Sequence, residues 1–562
     1  MSHMQTKILY FNPYSGILEH LKIEKDLHRV ARNSKMIVDF LRCDGFYSEF
    51  CTVMSAMSLN PKSSHTEKQE ICTRCKSLDR FSRDLKNSKY LVIDHLISPE
   101  IEQQVSRLMS KIDVDNWMDF ELNGVFFGRV ASYEFLLRHK LSSPVVPLEL
   151  WVELRKEIES TLTTYFTAYD FLRLSNYEMV GVYNFLYGMN RAFSIAAEHL
   201  GIQTFSVQGN GYVQSIHSRY LIYDTNSSFW YLNSSADWTI AREYPIGPWQ
   251  ILQVYRHFRA LFKAKSVWVY STPKLSLGRA KIRSLLGIPK NKKIYLLTTS
   301  SADEQFAFNF VGIIPEASKA TDRVFQDNFD WINETVEIFK RNPEKILVIR
   351  IHPREFANKR EGLNSKAGSA IVNFLRDMEL PNNIIVNVPK DEISLYDLAN
   401  ITEMLINSTS TVGLEFAALG IPSISVSPEL LTAYPPELSL IIKSKKDYEE
   451  LLTSRLNRDH FFNVKMAFRW MNFRYGKCTV AIPLRYLVLD RFFFGPFMRF
   501  IVKHPKGKVI LSDSFVLLER MFEALDRRYF CLFQTKAKTS LNLGNKHIEN
   551  LTIRLVSRFL KS

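Results

Sequence analysis

No stretch of the chain reaches the roughly eighteen uninterrupted apolar residues needed to span a bilayer, and the nearest approach, residues 486–502, is broken by Asp490, Arg491 and Arg499. The first sixteen residues lack the basic start and long apolar core of a secretory signal. A cytoplasmic protein is therefore expected. Internal repeats and long low-complexity segments are missing as well, which sets aside solenoid and disordered architectures. No helix-turn-helix, RNP or zinc-finger signature is present, so no nucleic-acid partner is expected. Cysteine is scarce, six among 562 residues.

What is present describes an ordinary globular chain, 46% hydrophobic and 23% charged, long enough for two or three domains that each bury a core. Its net charge of +15 is unevenly spread. Residues 485–562 hold 15 Lys/Arg against 6 Asp/Glu, interleaved with aromatics and leucines as in RFFFGPFMRFIVKHPKGK. That pattern fits an anionic membrane surface, where each basic residue contributes about 1 kcal/mol, and it equally fits a solvated basic face. The expected partner is the membrane surface.

The cysteines are clustered. Cys43, Cys51, Cys72 and Cys75 are spaced C-x7-C-x20-C-x2-C, while Cys478 and Cys531 stand alone far downstream. In a reducing compartment such a cluster holds metal more often than disulfides. Four thiolates would complete a tetrahedral structural zinc site, with an iron-sulfur cluster as the alternative and unliganded thiols as the bland reading. A closed four-cysteine site leaves no open coordination position, so no catalytic metal is expected.

The chain reads as alternating strands and helices. Residues 8–11 form a first strand, residues 18–41 read as one long helix with Leu27, Val30, Ala31, Ile37, Val38 and Leu41 on its buried face, and residues 90–93 form the next strand. The cysteine-bearing segment, about 43–75, reads as an insertion between them. Ser98-Pro99-Glu100 starts a helix. Strands at 179–183 and 202–207 flank a further helix, and their ends at Asn184 and Gln208 are expected to face a cleft. Residues 245–270 read as a helical crossover, after which a strand at 294–297 opens a second domain and ends in Thr298, Thr299, Ser300, Ser301, Ala302, Asp303 and Glu304.

The most informative stretch is 346–426. Residues 346–351 are a near-continuous apolar run, as in a parallel strand buried on both faces, and the run stops at His352-Pro353-Arg354-Glu355. A second run, 404–406, ends in Asn407, Ser408, Thr409, Ser410 and Thr411, passes into a helix over 412–419 and returns as a strand at 422–426. Open α/β sheets bind ligands beyond the carboxyl ends of their strands, and hydroxyls beside a helix start suit a phosphate. Pro353 fixes the turn that aims the His352 imidazole, which near a phosphate could be protonated. Arg354 reads as a phosphate contact or a surface residue that pairs with Glu355. Glu415 lies one turn into an otherwise apolar helix, where a charge calls for a ligand.

RIHPRE followed by NSTSTVGLEFAALGIPSI resembles the nucleotide-binding half of GT-B glycosyltransferases of bacterial surface polysaccharides, capsular or lipopolysaccharide, in particular those with an HP motif that use CMP-linked sugars such as Kdo or sialic acid. CDP-glycerol phosphotransferases and GT-B-like nucleotide-sugar epimerases are similar in outline. The resemblance implies an α/β fold of two Rossmann-like domains facing a cleft: residues 1–270 for the acceptor, 271–445 for the nucleotide sugar, and a basic helical region 446–562. It implies that His352 approaches the donor phosphate, that the Ser408 to Thr411 turn holds phosphate, and that Glu415 meets the ribose hydroxyls. It also implies a lipid-linked oligosaccharide acceptor and a place at the inner face of the cytoplasmic membrane. A general base is required on the acceptor hydroxyl. Asp44, Asp94, His95, Asp303 and Glu304 are the candidates, and Asp94, which ends the strand YLVID, is carried forward.

Overall fold

The apolar runs become two mainly parallel sheets. The computed structural model describes residues 5–33, 36–47, 49–82, 88–209, 219–224, 238–262, 277–312, 323–358, 362–408, 410–426, 435–454, 460–477, 479–481 and 549–554. In the N-terminal half the strands are β1 (Lys7–Phe11), β2 (Ile37–Arg42), β3 (Tyr90–Val92), a small hairpin of β4 (Glu121–Leu122) and β5 (Val125–Phe126), then β6 (Met179–Tyr183), β7 (Gln203–Gly209) and β8 (Arg219–Asp224). Parallel pairing gives the order β7-β6-β1-β2-β3, with β8 added antiparallel to β7. The second half supplies β9 (Lys293–Thr298), β10 (Lys345–Arg350), β11 (Ile384–Asn387), β12 (Met404–Asn407), β13 (Ser423–Ser425) and β14 (Leu440–Ile441), all parallel in the order β11-β10-β9-β12-β13-β14. This is the α/β, two-sheet class expected from the sequence.

Strand β10 shows why its four central residues, 346–349, are all apolar. Leu347 and Ile349 pack into a cluster with Trp331, Ile371 and Tyr448, whereas Ile346 and Val348 face the opposite cluster. Both faces are covered, so alternation would bury polar groups. The second cluster is continuous with the core of the first sheet and includes Phe11, Trp117 and Phe193.

Three expectations change. Residues 18–41 are not one helix: helix Leu18–Asn33 ends before β2, and Ile37, Val38 and Leu41 are strand residues. The helix buries charge as well as apolar surface. Glu24 is fully buried and receives the Arg42 guanidinium and Asn12 Nδ2, the latter at 2.7 Å, while Asp26 accepts from Tyr220 Oη at 2.6 Å. Nor do the described residues after 445 form a region of their own. Tyr448, on helix Lys445–Thr453, joins the second sheet's core, Phe468 and Trp470, on helix His460–Asn472, pack on Phe258 and Trp238, and β15 (Thr479–Ala481) pairs antiparallel with β8. Most of the basic tail lies outside the described residues. Finally, the strand expected to end before Gln208 runs on to Gly209, so Gln208 lies within β7 and pairs with Leu221 of β8.

Among the described residues, no helix is long and apolar enough to cross a membrane.

Candidate active site

The second sheet reverses direction between β9 and β12: the chain steps from β9 to β10 and β11 on one side, then returns to β12 on the other. Such a switch point opens a crevice at the carboxyl ends of the strands. Three neighbouring ends, those of β10, β9 and β12, carry His352, Thr299 with Ser300, and the turn that begins at Ser408.

Hydrogen bonds tie these ends into one unit. Thr298 Oγ1 donates to Asn407 Oδ1 at 3.1 Å, and Asn407 Nδ2 reaches Ser410 O at 2.9 Å. Thr299 N donates to Arg350 O at 3.1 Å, and its Oγ1 accepts from His352 N at 2.9 Å. Ala302 N donates to Glu355 Oε1 at 2.8 Å. A site held this way keeps its geometry without a ligand.

His352 Nδ1 accepts from Arg354 N at 3.3 Å, which leaves the ring proton on Nε2. Burial lowers its pKa to about 4, helped by the nearby cations Arg354, Arg350 and Lys140 and opposed by Asp303. Without a phosphate beside it the imidazole is therefore neutral, with its ring proton on Nε2. Arg354 is neither a surface residue nor paired with Glu355. It is buried, its Nη2 lies 2.9 Å from Asp303 Oδ2, and the same nitrogen donates to Leu137 O at 2.9 Å, at the end of helix Phe127–Arg138. Its guanidinium is thus engaged as a strut between the two halves of the chain. Lys140 completes the joint, donating to the carbonyls of Arg354, Phe356 and Leu363 at 2.6, 2.7 and 2.8 Å. Pro353 opens the short 3-10 turn.

The β12 turn differs from a simple cap. Helix Val412–Ala418 has seven residues, Thr411 makes no side-chain cap bond, and Ser410 Oγ is 3.4 Å from Val412 N. The hydroxyls are thus barely used in capping, and a helix this short adds little dipole, so any anion there depends on side chains. Ser408 is buried and its carbonyl accepts from Ser425 Oγ at 3.0 Å. Thr409 lies outside the described residues. Glu415 is the informative member: burial raises its pKa to about 7, Tyr396 hydrogen-bonds it, and its buried Oε2 has no partner among the described residues. Arg350, passed over in the sequence because it sits inside an apolar run, is its counterpart. Its Nη1 donates to Ile393 O at 3.0 Å, Nη2 is buried without a partner among the described residues, and burial lowers its pKa to about 10. Both residues act electrostatically on Tyr396.

The base candidates do not gather here, Asp303 and Glu304 excepted. Asp303 is taken up by Arg354 and Ser301, and Glu304 Oε1 also lies 3.5 Å from Arg354 Nε. Asp94 follows β3, the edge strand, where its Oδ2 accepts from Asp44 N at 2.7 Å; His95 is exposed beside it. The first sheet's own switch point lies two strands away, between β1 and β6. Its lining is aromatic: His20 lies against Tyr183 with centroids 3.8 Å apart and the rings tilted by 38°, and Tyr14 and Tyr187 complete the group. His20 is buried, its Nδ1 has no partner among the described residues, and burial lowers its pKa to about 3. Only Asn184 of this end was legible in advance. The signal was Asn12-Pro13, a strand end followed by proline.

The four clustered cysteines are free thiols lining one cavity of about 20 Å³. Gly16 N donates to Cys75 Sγ at 3.0 Å and Gly45 N to Cys43 Sγ at 3.2 Å. Burial raises the pKa of Cys43 to about 12 and that of Cys51 to about 11. As the side chains stand, no group of three or more His, Cys, Asp or Glu among the described residues could hold a metal ion.

No family model matches the chain, and no curated protein does. Solved structures with a similar course include a UDP-GlcNAc 2-epimerase from Neisseria meningitidis bound to UDP-GlcNAc, with 11% identity, 84% of this chain and 97% of that one covered, and a TM-score of 0.29. KpsC of Thermosulfurimonas dismutans, a beta Kdo 2,4 transferase, shares 13% identity over 52% of this chain and 79% of that one, TM-score 0.29. The wall teichoic acid polymerase TagF shares 13% over 40% and 46%, TM-score 0.22. Scores this low mark a loose likeness that says nothing of substrate or chemistry.

Proposed function

We propose that the chain is a glycosyltransferase that takes a sugar from a CMP-linked donor, such as an acid sugar of the Kdo kind, and passes it to a growing bacterial surface glycan. The observation that carries this reading is the set of cross-tied strand ends at the β9 and β12 switch point, with the neutral His352 ring and Glu415 Oε2, which has no partner among the described residues. The Glu415 carboxylate, already raised toward neutrality, suits a ribose diol, which both accepts and donates hydrogen bonds. His352 Nε2–H donates to a phosphate oxygen, and an arriving phosphate charge raises the imidazole pKa again. As the bond from the anomeric carbon to the CMP oxygen breaks, that hydrogen bond strengthens on the departing phosphate, while the acceptor hydroxyl attacks the carbon and gives its proton to a base. Thr299 fixes the backbone of His352, and Ser300, Ser408, Ser410 and Thr411 offer hydroxyls around the same crevice. The surplus of basic residues in 485–562 supports docking on an anionic leaflet, where a lipid-linked acceptor would be met.

A thermal-shift series with CMP, CDP, UDP and GDP tests the donor. Stabilisation by cytidine nucleotides that is lost in His352→Ala and Glu415→Ala supports the reading; a preference for UDP removes the CMP assignment, and no shift with any nucleotide removes the site. Vesicle sedimentation tests the tail: binding should rise with anionic lipid and fall with salt, and a tail-deleted chain that sediments equally well would show that the tail does not dock.

A further inference from the structure

We propose that a face of the folded body, formed by Ile240, Tyr244, Trp249, Phe462 and Leu551, docks on an anionic bilayer leaflet. It extends to the body the docking proposed for the basic residues 485–562, and it rests on that reading of a protein at work on a membrane. Large apolar side chains exposed singly are ordinary, whereas several gathered at one place mark a surface that meets something. These five are between 40% and 63% exposed. They come from three distant parts of the chain: residues 240–249, helix His460–Asn472 and residues 549–554.

One buried joint brings the three parts together. Arg469 grips Glu549 with two bonds, Nε to Oε1 at 2.8 Å and Nη2 to Oε2 at 2.6 Å, and both residues are buried. Glu549 Oε1 also accepts from Ile246 N at 3.1 Å, and Arg469 Nη1 donates to Arg242 O. A bidentate pair with further backbone bonds holds its geometry. Ile240 and Tyr244 lie two residues to either side of Arg242, Trp249 follows Ile246 by three, and Leu551 follows Glu549 by two. Phe462 and Lys465 line the same depression as Arg242 and Glu549.

Charge and ring chemistry select the partner. Arg256 lies over the Trp249 ring, 5.5 Å from its centroid, two turns along the same side of helix Pro248–Phe262. Arg256 and Lys465 form no ion pair among the described residues, and Arg554 is exposed three residues beyond Leu551. Glu243, an exposed carboxylate here, pairs with Arg242 at 3.2 Å. Tryptophan and tyrosine beside basic side chains suit the depth of lipid headgroups, with rings toward the acyl boundary and cations toward phosphates. Residues 549–554 are themselves part of the basic stretch 485–562, so the face and that stretch meet the same surface. Val145, Leu148 and Val152 are exposed as well, but Val152 lines a cavity with six glutamates and three lysines, which an anionic leaflet would repel.

The test is sedimentation of the full chain with vesicles of phosphatidylcholine containing or lacking phosphatidylglycerol. The wild type should bind the anionic vesicles, and the combined variant Ile240→Ser, Trp249→Ser, Leu551→Ser should bind them about tenfold more weakly at an unchanged melting temperature. Arg256→Gln with Lys465→Gln should also bind more weakly and depend less steeply on salt. Leu148→Ser with Val152→Ser should bind as the wild type does, and an equal loss in that variant would overturn the proposal. Replacing Arg491, Arg499, Lys503, Lys506 and Lys508 by Gln separates the basic stretch from the face. A loss there with none in the face variants overturns this proposal and leaves the docking of the stretch standing; the reverse supports the face and removes the stretch. Vesicles with brominated acyl chains should quench tryptophan fluorescence in the wild type and much less in Trp249→Phe. A wild type that ignores anionic vesicles, or equal quenching in the two proteins, would overturn the proposal.

Discussion

The two sheets place a switch point in the same relative position and furnish it differently. Between β9 and β12 the strand ends carry hydroxyls, a neutral histidine, and polar atoms of Glu415 and Arg350 that have no partner among the described residues. Between β1 and β6 they carry tilted and edge-on rings, with His20 against Tyr183. Topology fixes where a ligand can sit, and the side chains decide which ligand. The first end suits a charged, hydrogen-bonding molecule; the second offers aromatic faces. The difference extends to rigidity: the β9 to β10 region is locked to the other half of the chain by Arg354 and Lys140, whereas no such strut among the described residues holds the aromatic end.

The largest effect should come from breaking that lock. Arg354→Ala leaves Asp303 buried without its cation and should cost about 3–5 kcal/mol in denaturant unfolding. A loss below about 1 kcal/mol would mean that the joint is not structural. In the first sheet the comparable weak point is steric. A Cβ on Gly181 would lie 2.5 Å from Phe205 and 2.8 Å from Tyr10, so Gly181→Ala should cost about 2–3 kcal/mol, and its donor binding, measured at a temperature where it is folded, should remain intact.

A smaller effect depends on pH. With its pKa raised from 4.5 to about 7, Glu415 holds a proton in the folded chain that the unfolded chain has already released. Stability of the wild type should therefore fall as pH rises through that window and level off above it. Glu415→Gln should lack this component, and should gain on the order of 2–3 kcal/mol relative to wild type between pH 5 and 8. Parallel stability curves for the two proteins would refute the burial account. The smallest change is expected at the aromatic end: His20 is neutral and its Nδ1 has no partner among the described residues, so His20→Phe should alter stability by less than about 1 kcal/mol. A larger loss would reveal a hydrogen bond that the ring contact does not show.

The second sheet was readable because its strands are buried on both faces, which makes ILVIRI and MLIN conspicuous, and because proline and a run of hydroxyls end them abruptly. Strand β2 was not. Leu27, Val30, Ala31, Ile37, Val38 and Leu41 satisfy a helical spacing across a boundary that periodicity does not mark, and the buried charges of helix Leu18–Asn33 weaken its apolar stripe. Long-range pairing was equally hidden. Arg354 and Asp303 are 51 residues apart, so the sequence offered Glu355, the adjacent carboxylate, in place of the true partner. The same blindness made Asp94 look like a cleft residue, since a strand's end can be read locally but its place at the edge of the sheet cannot. The clustering of cysteines was visible as spacing alone, and the structure adds their common cavity.

The β9 and β12 strand ends are proposed as a nucleotide site in which His352 touches the donor. The most direct measurement is calorimetric titration of CMP into the wild type and His352→Ala at pH 7, with unfolding curves to show that both are folded. Saturable binding to the wild type, weakened at least tenfold in the variant at unchanged stability, is the predicted result. Equal affinity in the two proteins, or no binding of CMP to either, would contradict it.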